Sequence, residues 1–349
     1  MFFRKIEKKR IFVRLFLACF FWSVLAGESM AEERGYQTVI DARGRKVKIS
    51  VPVQRIAVIN ENAMEIVRML GAMNRVAAVS DYIAGRKNYW PELTDLPRAG
   101  GWRSPDYEAI ASVKPDLVLC YGRSPGQEAE RMLEPAGVKV LRLDFYRSPE
   151  MIREVRDLGV LLGESERAGE FIRWRNGIID RIAEGVARSK RAPNVYLEGY
   201  GDYKTWGRGS GVFDMCVAAG GKNAAAEIEI PSSLITPEWV VAKNPEIIIK
   251  TAYLPGGYRE SQLKRMSALR TTIMNRSGWK NIEAVRRGAV YILDSDVCSG
   301  PSDAVGTAYM AKWFHPGELA DLNPEAVHRE YLNRFQSIPY RGHYAYPAP

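Results

Sequence analysis

One stretch of this chain occurs twice, and the repeat limits what the chain can fold into. Glu108-Ala-Ile-Ala-Ser-Val-Lys-Pro-Asp-Leu-Val-Leu returns as Glu238-Trp-Val-Val-Ala-Lys-Asn-Pro-Glu-Ile-Ile-Ile, with the glutamate seven residues ahead of the proline in both copies. Each copy opens after a proline turn, Ser104-Pro105 or Thr236-Pro237, and stops at Pro115 or Pro245, because proline cannot continue a helix. An apolar, β-branched run follows, so each copy reads as a short helix feeding a buried strand. Two such units predict two similarly built α/β lobes with parallel-type sheets and a ligand cleft between them. One glutamate per lobe, Glu108 and Glu238, also points to a partner that grips both lobes.

A chain of 349 residues exceeds what one core usually organises, which agrees with two lobes. The N-terminus is different in character. Arg4, Lys5, Lys8, Lys9, Arg10 and Arg14 precede an apolar run from Leu15 to Ala26, and Ser29-Met30-Ala31 supplies small residues for cleavage. That order is the order of a secretory signal peptide, and the run is shorter than the ~20 residues of a membrane span. Residues 1–31 are therefore expected to be removed, leaving an exported, soluble, periplasmic chain that begins at Glu32. Cys19 invites a lipid-anchor reading, but Phe20-Phe21-Trp22 continues the apolar run where a lipoprotein would turn polar.

The leader holds six basic and two acidic residues, so the formal charge of +9 falls to +5 without it. The remaining basic residues are dispersed, which argues against nucleic acid as a partner. Cys120, Cys216 and Cys298 are too few and too scattered for a disulfide framework. The three histidines, His315, His328 and His343, cluster near the C-terminus, so no histidine metal site is expected. A glycine-rich phosphate loop, a nucleophile elbow and a histidine near any rim loop are missing from the sequence, so an enzyme is not expected.

Residues 36–51 read as a hairpin, and Arg55–Ile59 begins a series of strands separated by helix-length segments. Ligands of such sheets meet the loops at the strands' C-terminal ends. In the first lobe these loops carry Tyr82, Arg103, Tyr121 and Arg123, and in the second Tyr203, Trp206, Ser232, Tyr253 and Asp296. Between the lobes, an apolar face repeats from a capping Ser165 through Ala168, Phe171, Ile172, Ile178, Ile179, Ile182 and Val186. About 24 residues at ~1.5 Å each give a strut of roughly 36 Å. The expected divisions are a first lobe at 32–164, a connecting helix at 165–190, a second lobe at 191–335 and a loose tail at 336–349.

Several segments in this order resemble the periplasmic substrate-binding proteins of ABC importers for ferric siderophores, haem and cobalamin. They are Val53-Gln-Arg-Ile-Ala-Val, the two repeated units, Ala218-Ala-Gly-Gly-Lys-Asn223, Trp279 through Val290-Tyr, and Ala311-Lys-Trp-Phe-His-Pro316. The resemblance implies two α/β lobes joined by one long helix, a monomeric receptor without a cofactor, and permease subunits with an associated ATPase as partners. It implies Trp102 and Tyr121 as cleft aromatics of the cobalamin-binding type, with Ser232 near the position of a third. It implies docking of Glu108 and Glu238 on permease arginines. The cargo expected is a ferric siderophore first, with Arg103, Arg123 and Arg208 meeting its negative charge, then a corrinoid, then haem bound through Tyr121 or Tyr82.

Overall fold

A computed structural model describes residues 35–254, 261–298 and 300–349; the expected signal peptide lies outside them. The chain opens with a hairpin of β1 (Gly35–Ile40) and β2 (Lys46–Val51), whose turn is held by Asp41 accepting from the backbone N–H groups of Arg43 and Arg45, each at 2.9 Å. The strands β3 (Ile56–Val58), β4 (Val76–Val79), β5 (Leu117–Cys120) and β6 (Lys139–Arg142) then form a parallel sheet in the order β4-β3-β5-β6. All but Lys139 of these strand residues are buried, as continuous apolar strands of a two-sided parallel sheet must be.

The second lobe contains β7 (Asn194–Glu198), β8 (Lys204–Trp206), β9 (Lys222–Asn223), β10 (Ser232–Leu234), β11 (Ile247–Ala252), β12 (Val290–Asp294) and β13 (Ala345–Tyr346). Their order is β10-β8-β7-β11-β12-β13, with β9 also pairing with β7. The centre is parallel, whereas β8 runs antiparallel to both its neighbours, β7 and β10, and β13 antiparallel to β12, so this sheet is mixed. The final residues are not a loose tail. β13 pairs with β12, and Tyr344 is buried with its ring 4.3 Å from that of His328, because the sheet edge offers both hydrogen bonds and an apolar seat.

Side-chain alternation joins the lobes through one core. Leu117 and Leu119 of β5 and Ile247 and Ile249 of β11 face the same large cluster, together with Phe171, Trp174 and Ile182 of the helix Ser165–Arg188. Val118 and Ile248 face away, into separate clusters under the outer helices of each lobe. The long helix begins with Ser165 inside its first turn; Glu164 holds the cap position and makes no side-chain capping bond. Trp174 of this helix stacks on Tyr331 at 5.9 Å, and Phe171 meets Phe335 at 5.4 Å, which seats the C-terminal helix Pro324–Tyr331 on it. Among the described residues no helix is long and apolar enough to cross a membrane.

Arg175 of the long helix donates from Nε to Asp303 at 2.9 Å, and the two side chains are only 4% and 7% exposed. Removing one partner strands a buried charge, which costs about 3 to 5 kcal/mol. Asp303→Ala is expected to lose stability of that order in urea unfolding. A loss under about 1 kcal/mol, the size of an exposed pair, would contradict it.

Candidate functional site

The loops at the C-terminal ends of both sheets converge on a cavity of about 720 Å³. Their positions are set by short caps. After β3, Asn60 accepts from Ala63 N–H at 3.2 Å and donates to the Leu143 carbonyl at 2.5 Å, so the helix Glu61–Met69 starts with Glu61, Asn62 and Glu65 at the cavity. After β4, Ser80 caps the helix Asp81–Gly85, which places Tyr82 and the following Arg86 there. Tyr121 follows β5 directly, and Tyr146 comes from the loop after β6. The second lobe contributes Tyr200, Trp206, Tyr253 and Asp296, each at or just beyond a strand end.

Aromatic pairs line both lobes. Trp102 and Tyr121 meet edge-to-face at 5.5 Å in the first, and Tyr200 and Trp206 at 5.6 Å in the second. Each pair has a polar anchor. The Tyr121 phenol faces the backbone of Glu61 and Asn62 at the helix start. Trp206 Nε1 donates to Thr251 Oγ1 at 3.0 Å, and that hydroxyl donates to the Glu198 carbonyl at 3.1 Å. The Glu198 side chain is fully buried and held by Lys250 at 2.8 Å and Arg276 at 2.6 Å, which makes the base of this second wall rigid. Tyr82 and Tyr253 face each other across the cleft.

At the floor, Arg86 joins the lobes. Its Nη1 donates to Glu61 at 2.5 Å and its Nη2 to Asp296 at 2.8 Å. Burial alone would lower the guanidinium's pKa, but Asp296 and Glu61 outweigh it and hold Arg86 above its ordinary value. Burial also raises Glu61, against the opposing pull of Arg86. One turn further along the same helix, Glu65 accepts from the Tyr331 hydroxyl at 2.5 Å, and burial lifts its carboxyl to about 7. Two more contacts hold the lobes together: Arg147 pairs with Asp214 at 2.8 Å, and Gly300 lies so near Asn62 that a Cβ there would meet its Oδ1 at 2.9 Å. Among the described residues no group of three or more His, Cys, Asp or Glu side chains is arranged to hold a metal ion.

Of the residues expected at the site, Trp102, Tyr121, Tyr82, Trp206, Tyr253 and Asp296 line the cavity. Arg103, Arg123 and Arg208 do not. Arg103 lies exposed with its guanidinium 4.4 Å from the Trp102 ring, Arg123 is exposed, and Arg208 donates to the Ala226 carbonyl at 2.7 Å on the outer surface. Tyr203 also stays out, because its left-handed backbone (φ 57°) turns the ring onto Trp279 at 5.9 Å and Arg276 at 4.6 Å. Ser232 pairs with Trp206 across β10 and β8, and the lining residue there is the neighbouring Pro231. Glu61 lines the cavity from the rim loop Asn60-Glu61-Asn62, and Glu65 and Arg86 line it without being expected there. The spacing of Glu61 and Glu65, four apart at a helix start, is the signal that places both on one face.

Glu108 and Glu238 occupy the same position in their lobes. Each is exposed in the first turn of a helix, Tyr107–Ser112 or Pro237–Lys243. Asp106 and Thr236 supply the capping bonds, at 2.9 and 3.2 Å, and Lys114 and Asn244, with φ of 47° and 39°, make the same left-handed turn before the proline.

A two-lobed α/β fold with one connecting helix and an interlobe cleft defines a class of solute receptors, and the comparisons agree. The chain belongs to the periplasmic binding protein family, whose model matches residues 56–297. It is 25% identical over 288 residues to the uncharacterized ABC transporter substrate-binding lipoprotein YvrC of Bacillus subtilis, covering 80% of this chain and 85% of that one. It is also 25% identical over 169 residues to the vitamin B12-binding protein of Salmonella typhimurium, a match spanning 48% of this chain and 63% of the relative's length. Among solved structures, the TroA-like periplasmic binding protein FepB from Veillonella parvula has the same fold, with a TM-score of 0.74 at 23% identity over 88% of this chain and 98% of that one.

The Glu65 carboxyl gives a pH test of this floor. Because the folded chain favours its neutral form, stability falls as pH rises from the ordinary 4.5 to about 7, and levels off above. Glu65→Gln, neutral at every pH, is expected to gain thermal stability relative to the parent across that window. A difference in Tm that does not change with pH would contradict the assignment.

Proposed function

We propose that this chain is the exported receptor of an ABC importer, which captures a bulky metal chelate in the cleft and delivers it to the permease. The observation that carries this reading is the cavity of about 720 Å³ with an aromatic pair from each lobe. Aromatic faces suit a large ligand with apolar faces of its own, and each aromatic contact adds about 0.5 to 1.5 kcal/mol beyond area burial.

A corrinoid fits best. Its macrocycle is broad and apolar on its faces, and one relative is a vitamin B12-binding protein. The ferric-siderophore reading depended on Arg103, Arg123 and Arg208, and all three lie outside the lining. Haem has the least support: burial raises the Tyr121 and Tyr82 hydroxyls, so neither is poised to form the phenolate that would ligate iron. Intrinsic fluorescence titration with cyanocobalamin tests this. Trp102→Ala is expected to weaken binding several-fold with the fold intact, and unchanged affinity would return Trp102 to packing.

Glu108 and Glu238 are proposed to dock the loaded receptor on the two permease subunits. Their helices are already capped by Asp106 and Thr236, so the glutamates are free to serve an outside partner. The double Glu→Ala variant should lose cargo uptake in cells while keeping cargo affinity. Helix-start carboxylates would instead cost only stability, about 0.3 to 1 kcal/mol each. Normal uptake at normal abundance would contradict docking.

A further inference from the structure

The cavity is well supplied with hydrogen-bond acceptors and poorly supplied with positive charge. Among the described residues that line it, Arg86 is the only cation, and its two terminal nitrogens are engaged by Glu61 Oε1 and Asp296 Oδ1. Glu61 Oε1 also receives Trp90 Nε1 at 3.2 Å, and Glu65 Oε2 receives the Tyr331 hydroxyl. Glu61 and Asp296 each keep a second oxygen, Glu61 Oε2 and Asp296 Oδ2, to which no described residue is seen to donate. Asn62 spends one of its Nδ2 hydrogens on the Asp144 carbonyl at 2.9 Å.

We infer that the cleft selects cargo whose inward edge carries N–H donors or positive charge, primary amides or ammonium groups on a neutral or cationic chelate, with Glu61 and Asp296 as the acceptors. This depends on reading the cleft as a chelate site. Two features of the site act together. The aromatic walls bind the apolar faces of many chelates with little discrimination, whereas the floor discriminates by charge. An N–H group meeting a carboxylate makes a charge-assisted hydrogen bond, stronger than a neutral one. A carboxylate or catecholate edge in the same seat would lose its water and face like charge from Glu61 and Asp296. Arg86 keeps N–H groups of its own, but Glu61 and Asp296 together outweigh its charge.

The test uses the full mature protein, fluorescence titration and two matched probe sets. One set is aquacobalamin (cationic), cyanocobalamin (neutral) and cyanocobalamin monocarboxylate (one side-chain amide hydrolysed, anionic). The other is ferrioxamine B (cationic) and ferric enterobactin (anionic). In a set that binds, the neutral or cationic members should bind about tenfold or more tightly than the anionic one, the size of effect one charge-assisted bond supplies. Asp296→Asn and Glu61→Gln should narrow that preference. The preference is a ratio within one preparation, so a partly unfolded variant does not mimic it. Equal or tighter binding of the anionic member overturns the inference and leaves the receptor reading standing. Failure of every probe to bind overturns the chelate reading and the inference with it.

Discussion

A guanidinium taken out of water costs several kcal/mol unless carboxylates meet it, and Arg86 is met by two, one from each lobe. That requirement organises the cleft. It fixes the helix start carrying Glu61 against the loop carrying Asp296, brings Gly300 onto Asn62, and gives the cavity a floor shared by both lobes. Two carboxylates meet one guanidinium, so among the described lining residues the charge at the floor is negative. Shape and charge of the cavity thus follow from one interaction.

The same logic holds further out. Arg175 and Asp303 repeat the buried pair between the long helix and the helix Asp303–Phe314, next to the loop that carries Asp296. Trp174 seats Tyr331, and Tyr331 in turn holds Glu65. The connecting helix therefore contributes to the floor through packed side chains as well as linking the lobes. One core running through both sheets and this helix keeps the two aromatic walls at a set spacing, which a ligand that bridges them requires.

Much of this was legible in the residues. Buried parallel strands need apolar faces on both sides, so Val76–Val79 and Leu117–Cys120 announce themselves as unbroken runs. The repeat around Glu108 and Glu238 survives as matching caps, helices and left-handed turns. The antiparallel β13 was not legible, because two residues pairing on a sheet edge leave no periodic pattern. Trp102 and Tyr121 were found because their segments carry the family's pattern. Tyr203 was misplaced because a single positive φ decides which side of the sheet its ring occupies. Arg103, Arg123 and Arg208 sit on rim loops as expected, but their direction depends on partners such as the Ala226 carbonyl, which sequence does not reveal. Arg86 was missed because its partners come from segments far apart in the chain.

The central claim is that both lobes enclose one metal chelate between their aromatic walls. Absorbance and mass spectra of the small molecule that co-purifies with the exported protein test it most directly. The account predicts a corrin absorbance and mass, in stoichiometric amount and released when Trp102 and Trp206 are both replaced by alanine. A stoichiometric cargo without metal or macrocycle, such as a sugar or an amino acid, would contradict it.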